Sequence, residues 1–389
     1  MSPSTGPGYQ SRPSPNAPLT GQAGGRSQLS TPCLILDIDA MERNVARMAA
    51  HCAGLGIALR PHGKAHKCVE IARRQIAGGA VGLCVVNIGE AEVFAAADIP
   101  GILITSPLST EAKMRRFVRL AAGADVATVV DNPDGAKALA AMARADGVRL
   151  PVMLDLDLGR ARTGVTEVAD AIDLGKLLAA DPAFDLRGMQ AYAGHLSHEP
   201  DHAARRSGAV FAAAKIRDVV DGLAAQGIAI ETVSGGSTGT CFMEPQAGGI
   251  TEAQFGSYVF MDAEYDEIPL TEDGDRPFEP SLFVAVSVVS RSLLNQATAD
   301  GGYKHFLGKH APPQIVRGLA DGTAAAYALW SDEHGRIDIA AGGDELAPGH
   351  ILECWVPHCD PTLNLYDHLH VVRGDDLIDI WSIDARGVY

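Results

Sequence analysis

Lys64 and Lys67 stand with His62 and His66 in the stretch Leu59-Arg60-Pro61-His62-Gly63-Lys64-Ala65-His66-Lys67, directly after the half-apolar run Ile57-Ala58-Leu59. The stretch reads as the end of an inward-facing strand. A lysine at a strand mouth can be desolvated, its pKa then falls, and its amine becomes a nucleophile for Schiff-base chemistry. A solvated basic loop touching a phosphate is the other reading of the same residues.

Four further clusters have usable chemistry. In Val233-Ser234-Gly235-Gly236-Ser237-Thr238-Gly239-Thr240 the glycines let backbone approach an anion closely, and N–H groups and hydroxyls can cradle a phosphate. Asp155 and Asp157 end a strand, and Arg160 and Arg162 lie in the loop beyond. An arginine there can donate to a ring nitrogen or a carboxylate, or form a surface ion pair of little energetic value. Tyr192 and the following Gly194-His195-Leu196-Ser197-His198 occupy another strand mouth, where a histidine can act as a general base near neutral pH. In Pro357-His358-Cys359-Asp360-Pro361-Thr362, an extended backbone would point His358 and Asp360 to one side and Cys359 to the other. Such N and O ligands leave most positions of a divalent ion open, although a lone His-x-Asp is common by chance.

The elements that must position these residues follow a regular pattern. Thr31 to Ile38 predicts a strand, and Asp39 is expected to cap the helix that follows. Strands are then predicted near 57–61, 81–86, 102–106, 126–130, 152–157, 187–192, 230–234 and 257–261, with Ala-rich helical stretches between most of them. Eight strands alternating with helices predict a parallel (β/α)8 TIM-like barrel, with a doubly wound open sheet as the other solution. The phosphate candidate follows the seventh strand, a position that often holds phosphate in barrels. Past about Asp266 the runs 282–292, 324–330, 351–356, 370–373 and 377–383 are short and β-branched, which predicts a mostly antiparallel β domain.

The expected division is therefore a disordered Pro-, Gly- and Ser-rich tail over 1–30, a strand at 31–38, an α/β barrel over 39–265 and a β domain over 266–389. A formal charge of −16 in 389 residues argues against a nucleic-acid partner, so any phosphate site is local. No apolar run is long enough to span a bilayer, which predicts no membrane partner. Seven scattered cysteines suit a reducing cytoplasm.

Taken in order, the motifs TPCLILDIDAMERN, RPHGKAHK, Arg162-Thr163-Gly164-Val165, MQAY, SGGSTGT, FGSYVFMDAEY, SDEHG, HCDPTLNLYD and the closing ARG resemble the D-threonine aldolase family. Its pyridoxal-phosphate fold is shared with alanine racemases and metal-dependent D-serine dehydratases. The resemblance spans about Thr31 to Tyr389. It implies pyridoxal 5′-phosphate carried on Lys64, its phosphate held by Ser234 and Gly235 through Thr240, and Arg162 at the pyridine ring. Tyr192 and Tyr265 would stand near the cofactor. A divalent metal would fall on His358 and Asp360, Mn²⁺ or Mg²⁺ by the hardness of the carboxylate, with Zn²⁺ or Ca²⁺ as alternatives. The opening strand would join the β domain, and the protein would be a homodimer. Ser237 departs from the family's usual glycine or alanine, and 299–304 departs from its usual pattern at the substrate end.

The activity so implied is retro-aldol cleavage of a D-β-hydroxy-α-amino acid, such as D-threonine or D-phenylserine, to glycine and an aldehyde, with His198 as the base that removes the hydroxyl proton. A 3-hydroxy-D-aspartate aldolase is the nearest alternative; it needs a cation for the distal carboxylate, for which Lys304 is a candidate. A D-serine or D-3-hydroxyaspartate dehydratase would favour cysteine at the second metal position. A racemase would need a second acid/base and no metal, and a non-catalytic cofactor-binding protein would be a barrel alone.

Overall fold

A computed structural model describes residues 13–340 and 346–389. The chain divides into two compact units, one made of the chain up to Ala40 with Pro280–Arg386, the other of Met41–Glu279 with Gly387–Tyr389.

Strand β1 (Cys33–Asp37) leads into helix α1 (Ile38–Leu55). Asp37 Oδ1 accepts from Ala40 N–H at 3.1 Å, so Asp37 caps this helix. Asp39, the expected cap, instead lies in the first turn, where its charge complements the helix dipole.

Strand and helix then alternate: β2 (Ala58–Leu59), α2 (Val69–Ala77), β3 (Leu83–Val85), α3 (Ile88–Ala96), β4 (Ile102–Ile104), α4 (Glu111–Ala121), β5 (Val126–Val130), α5 (Pro133–Asp146), β6 (Leu150–Asp157), α6 (Val168–Ala180), β7 (Phe184–Tyr192), α7 (His202–Ala224), β8 (Val233–Gly235), α8 (Glu244–Ala247), β9 (Glu252–Ala253) and α9 (Ala263–Asp266). The helices begin where short polar side chains can accept from their first turns. Asn87, Thr110, Asn132 and Asp201 do so for α3, α4, α5 and α7. Strands β2 to β9 form one parallel sheet in the order β2-β9-β8-β7-β6-β5-β4-β3. A parallel bridge between His62 and Cys84 ties its two end strands together. Strands β5 and β6 are buried along their whole length, as the near-continuous apolar runs of a covered parallel sheet require.

The eighth strand is Glu252–Ala253, not 257–261. Ser257–Val259 is a 3₁₀ turn. Its aromatic and β-branched residues reflect complete burial, and burial alone does not distinguish a strand from a buried turn. Residues 266–279 group with the barrel unit, not the β unit. Arg43 holds Glu279 through two contacts of 2.8 and 2.7 Å, and Arg276 pairs with Asp266 at 2.9 Å.

In the β unit, β1 pairs antiparallel with β10 (Leu282–Leu293) and parallel with β16 (His368–Arg373). The sheet is completed by β11 (Gln296–Ala299), β12 (Gln314–Arg317), β13 (Ala325–Leu329), β14 (Gly335–Ile339), β15 (Ile351–Trp355) and β17 (Asp376–Ser382), with the short helix α10 (Cys359–Leu363) between β15 and β16. The sequence pattern missed β11, β12 and β14, which are only four or five residues long, too short for the alternation in β11 and β14 to stand out and largely solvent-facing in β12.

The expected disordered tail is ordered from residue 13; residues 1–12 lie outside the described residues. Three of its polar side chains are buried with partners that composition cannot reveal. Arg26 donates from Nε and one terminal nitrogen to Glu353 at 2.7 and 2.5 Å. Asn16 Nδ2 and Ser14 Oγ meet His370 Nε2 at 3.1 and 2.8 Å. Among the described residues no helix is long and apolar enough to cross a membrane.

Candidate active site

A cavity of about 270 Å³ opens in the barrel unit, where the ends of β2, β6, β7 and β8 converge. Side chains at the C-terminal ends of several parallel strands are where barrels assemble chemistry.

Lys64 lines this cavity from a 3₁₀ turn, Gly63–Ala65. His62 starts the turn, its Nδ1 accepting from Lys64 N–H at 3.4 Å, while its Nε2 meets Thr105 Oγ1 at 3.2 Å. His66 and Lys67 serve the wall instead. His66 is fully buried between Gln75 and the N–H of Cys68, and Lys67 Nζ lies 3.4 Å from the buried carboxylate of Glu90. The crowded basic stretch thus splits by position, with His62 and Lys64 on the cavity and the other two behind it.

Gly236, Ser237 and Thr238 line the cavity opposite. Gly236 has φ of 85°, and a Cβ there would come within 2.7 Å of the Phe255 ring, so only glycine suits the position. Gly239 and Thr240 form the buried back of the 3₁₀ turn Thr238–Thr240. Ser234 and Gly235 belong to β8; Ser234 Oγ donates to Glu252 at 2.6 Å and does not reach the cavity.

Arg162 and Tyr192 both line the cavity, with the guanidinium 5.2 Å from the centre of the Tyr192 ring. This is cation–π geometry. Among the described residues Asp157, the acid at the start of this loop, takes no part in a surface ion pair. Asp157 Oδ1 instead accepts from the N–H groups of Gly159, Arg160 and Ala161 at 3.2, 2.9 and 3.1 Å and shapes the loop. Tyr265 lines the cavity and packs against His198, ring centres 4.5 Å apart; His198 itself is exposed and is not part of the lining.

Sequence reading missed a buried polar line. Gln190 and Gln254 line the cavity; Gln190 Nε2 donates to Asp155 Oδ1 at 2.8 Å, and Gln254 Nε2 donates to Gln190 Oε1 at 3.2 Å. Gln190 lies two residues before Tyr192 on a strand, so period-2 alternation carried the signal. Gln254 carried none while the eighth strand was misplaced. Burial pushes the Asp155 carboxyl up to about 6, against the opposing pull of Gln190 and Thr163.

In the β unit, His358 is the last extended residue, φ −136°, and caps α10. The alternation expected of an extended segment therefore does not hold. Cys359 is buried inside the helical turn, and its Sγ donates to Asp360 Oδ1 at 3.4 Å. Imidazole and carboxylate remain a suitable donor set for a divalent ion. In the barrel unit, an amine, a positive-φ glycine loop with hydroxyls on the cavity and a guanidinium over an aromatic ring fit pyridoxal phosphate.

The family model for the N-terminal domain of alanine racemase matches residues 36–264, and that for a putative serine dehydratase domain matches residues 281–372. The chain is 37% identical to a 3-hydroxy-D-aspartate aldolase of Paracoccus denitrificans (strain Pd 1222) over 93% of each chain. It is 35% identical to a D-threonine aldolase of Arthrobacter sp, covering 93% of this chain and 94% of that protein. Among solved structures, a D-threonine aldolase from Filomicrobium marinum superposes with a TM-score of 0.86 at 33% identity, covering 93% of this chain and 96% of that one.

Proposed function

This chain belongs to the family of D-threonine and 3-hydroxy-D-aspartate aldolases, carbon–carbon lyases on the alanine-racemase fold, and from that premise we propose that it cleaves D-β-hydroxy-α-amino acids to glycine and an aldehyde. The observation that supports this best is the cavity lined by Lys64, Arg162, Tyr192, Tyr265 and the Gly236–Thr238 loop.

Lys64 is the residue proposed to hold pyridoxal phosphate, with Gly236, Ser237 and Thr238 taking its phosphate and Arg162 facing its ring. Gly239 and Thr240 support that loop from behind, and Ser234 and Gly235 anchor it in β8. When bound, the cofactor supplies an electron sink for the pair left on the α-carbon as the Cα–Cβ bond breaks. His198 takes the proton of the β-hydroxyl as its C–O bond becomes the carbonyl of the departing aldehyde. Tyr265 holds the His198 ring by contact. His358 and Asp360 are proposed as ligands of a divalent ion, Mn²⁺ or Mg²⁺, which lowers the pKa of a hydroxyl bound to it. A homodimer and a cytoplasmic location complete the proposal.

The test is to incubate the protein with D-threonine, D-phenylserine, D-3-hydroxyaspartate and D-serine and to identify the products. Glycine with acetaldehyde or benzaldehyde is expected, abolished by a chelator and restored by Mn²⁺. Glycine with glyoxylate from D-3-hydroxyaspartate alone would assign the narrower aldolase activity that the 37%-identical relative carries. Lys304, the sequence candidate for the distal carboxylate, is exposed and paired with Glu333. Keto acid and ammonia in place of glycine would overturn the aldolase reading.

A further inference from the structure

Glu244 opens α8 behind the Gly236–Thr240 loop and is buried, and nothing in the chemistry above uses it. Its Oε2 accepts from Thr240 Oγ1. Thr240 Oγ1 accepts from Ser237 N–H at 3.1 Å and stands 3.0 Å from Ser237 Oγ. Ser237 lines the cavity. A carboxyl and two hydroxyls therefore run in one line from the interior to the place where a phosphate would sit, and the line ends on the residue that departs from the family's usual glycine or alanine.

The direction of this line depends on one proton. With Glu244 ionised, Thr240 must donate to it, so Thr240 Oγ1 accepts from Ser237 Oγ and the Ser237 proton points inward. The lone pairs left facing the cavity repel an anion. With Glu244 neutral, its own O–H donates to Thr240, and Thr240 is released to donate to Ser237 Oγ at 3.0 Å, the nearer of its two acceptors there (Ser237 O lies at 3.2 Å), which turns the Ser237 hydroxyl to donate into the cavity. Among the described residues no cation pairs with the Glu244 carboxylate. On α7, the buried Arg205 donates to the carbonyls of Glu199 and Pro269, Lys215 Nζ donates to Asp157 O at 2.8 Å and Arg217 donates to Ala247 O at 3.4 Å. On α1, His51 is engaged with Cys241 O at 2.9 Å, and the Cys241 thiol is buried and held in its neutral form. Burial holds the Glu244 carboxyl up at about 7, against the opposing pull of Thr240 and of Ser237 N–H.

We infer that Glu244 is a positioning residue of the cofactor site, its neutral carboxyl turning the Thr240–Ser237 hydroxyl line toward the phosphate, so that phosphate binding takes up a proton. This rests on reading Gly236–Thr238 as the phosphate cradle.

Pyridoxamine 5′-phosphate carries the phosphate without an aldehyde, and above pH 7 that phosphate is already a dianion. The test is to titrate it into cofactor-stripped full-length protein by calorimetry at pH 8, in two buffers of different ionisation enthalpy. Wild type is expected to take up about one proton more than Glu244→Gln, and its affinity to fall roughly tenfold per pH unit above 7, a slope that linkage sets and the variant lacks. The side-chain amide introduced by Glu244→Gln can still donate to Thr240, so the affinity of that variant at pH 8 is expected to exceed that of wild type. Ser237→Ala keeps the carboxyl but removes the end of the line and is expected to lose the extra proton too. Equal uptake in wild type and Glu244→Gln, or full uptake in Ser237→Ala, would overturn the inference. Absence of saturable binding by wild type would overturn the cradle reading itself.

Discussion

Asp155 carries its charge behind Gln190 with one oxygen unserved. Gln190 Nε2 donates to Oδ1 at 2.8 Å, while Oδ2 meets no donor among the described residues. Burial raises its carboxyl from 3.8 to about 6, so the folded state holds the proton more tightly than the unfolded chain. Stability from this residue is full below the unfolded value and falls as pH rises through about 6, a loss of about 3 kcal/mol at neutral pH. Asp155→Asn is therefore expected to raise stability by up to that amount at pH 8 and to change it little at pH 3. Urea unfolding at the two values checks this, and an equal effect at both would contradict it. Single residues were legible where their type is scarce. Lys64, Arg162 and the glycine loop could be picked from the sequence, whereas Asp155 and Glu244 could not, because burial, not identity, makes their chemistry unusual. The resemblance singled out Lys64, and the structure supplies a physical distinction: Lys64 lines the cavity, whereas Lys67 pairs with Glu90, 23 positions further on.

Elements were legible where a period had length to express itself. Helices α2 to α7 form where Ala-rich helical stretches are predicted between the strands, because each shows several apolar turns and most a polar cap. The two-residue strands β2 and β9 carry no period at all, which is why Glu252–Ala253 lost the eighth place to the apolar Ser257–Met261 run. The N-terminal segment misled for a different reason. Its composition is that of a disordered chain, yet Arg26 forms a bidentate pair with Glu353 at 2.7 and 2.5 Å, with both side chains under a tenth exposed. Removing Arg26 leaves the buried Glu353 carboxylate only the half-exposed Arg317, 3.8 Å away, at a cost of up to about 3 kcal/mol, the lower end for a broken buried pair. Arg26→Ala is expected to shift the guanidinium unfolding midpoint down accordingly, and Arg26→Met with Glu353→Leu to recover most of it. A loss below about 1 kcal/mol would mean that the segment is not held by this pair.

At the scale of the whole molecule, a chain of formal charge −16 brings two cationic side chains to one barrel cavity. Lys64 and Arg162 line the same cavity as the glycine loop, brought there by strands more than 170 positions apart in sequence. That convergence is what a barrel supplies and what no local pattern states, so the site was readable only as separate motifs until the strand order joined them. The most direct measurement is to reduce the holoprotein with borohydride, digest it and locate the phosphopyridoxyl group by mass spectrometry. The group is expected on Lys64 alone. Its appearance on Lys67 or on any other lysine, or on none, would contradict the assignment of this cavity as the cofactor site.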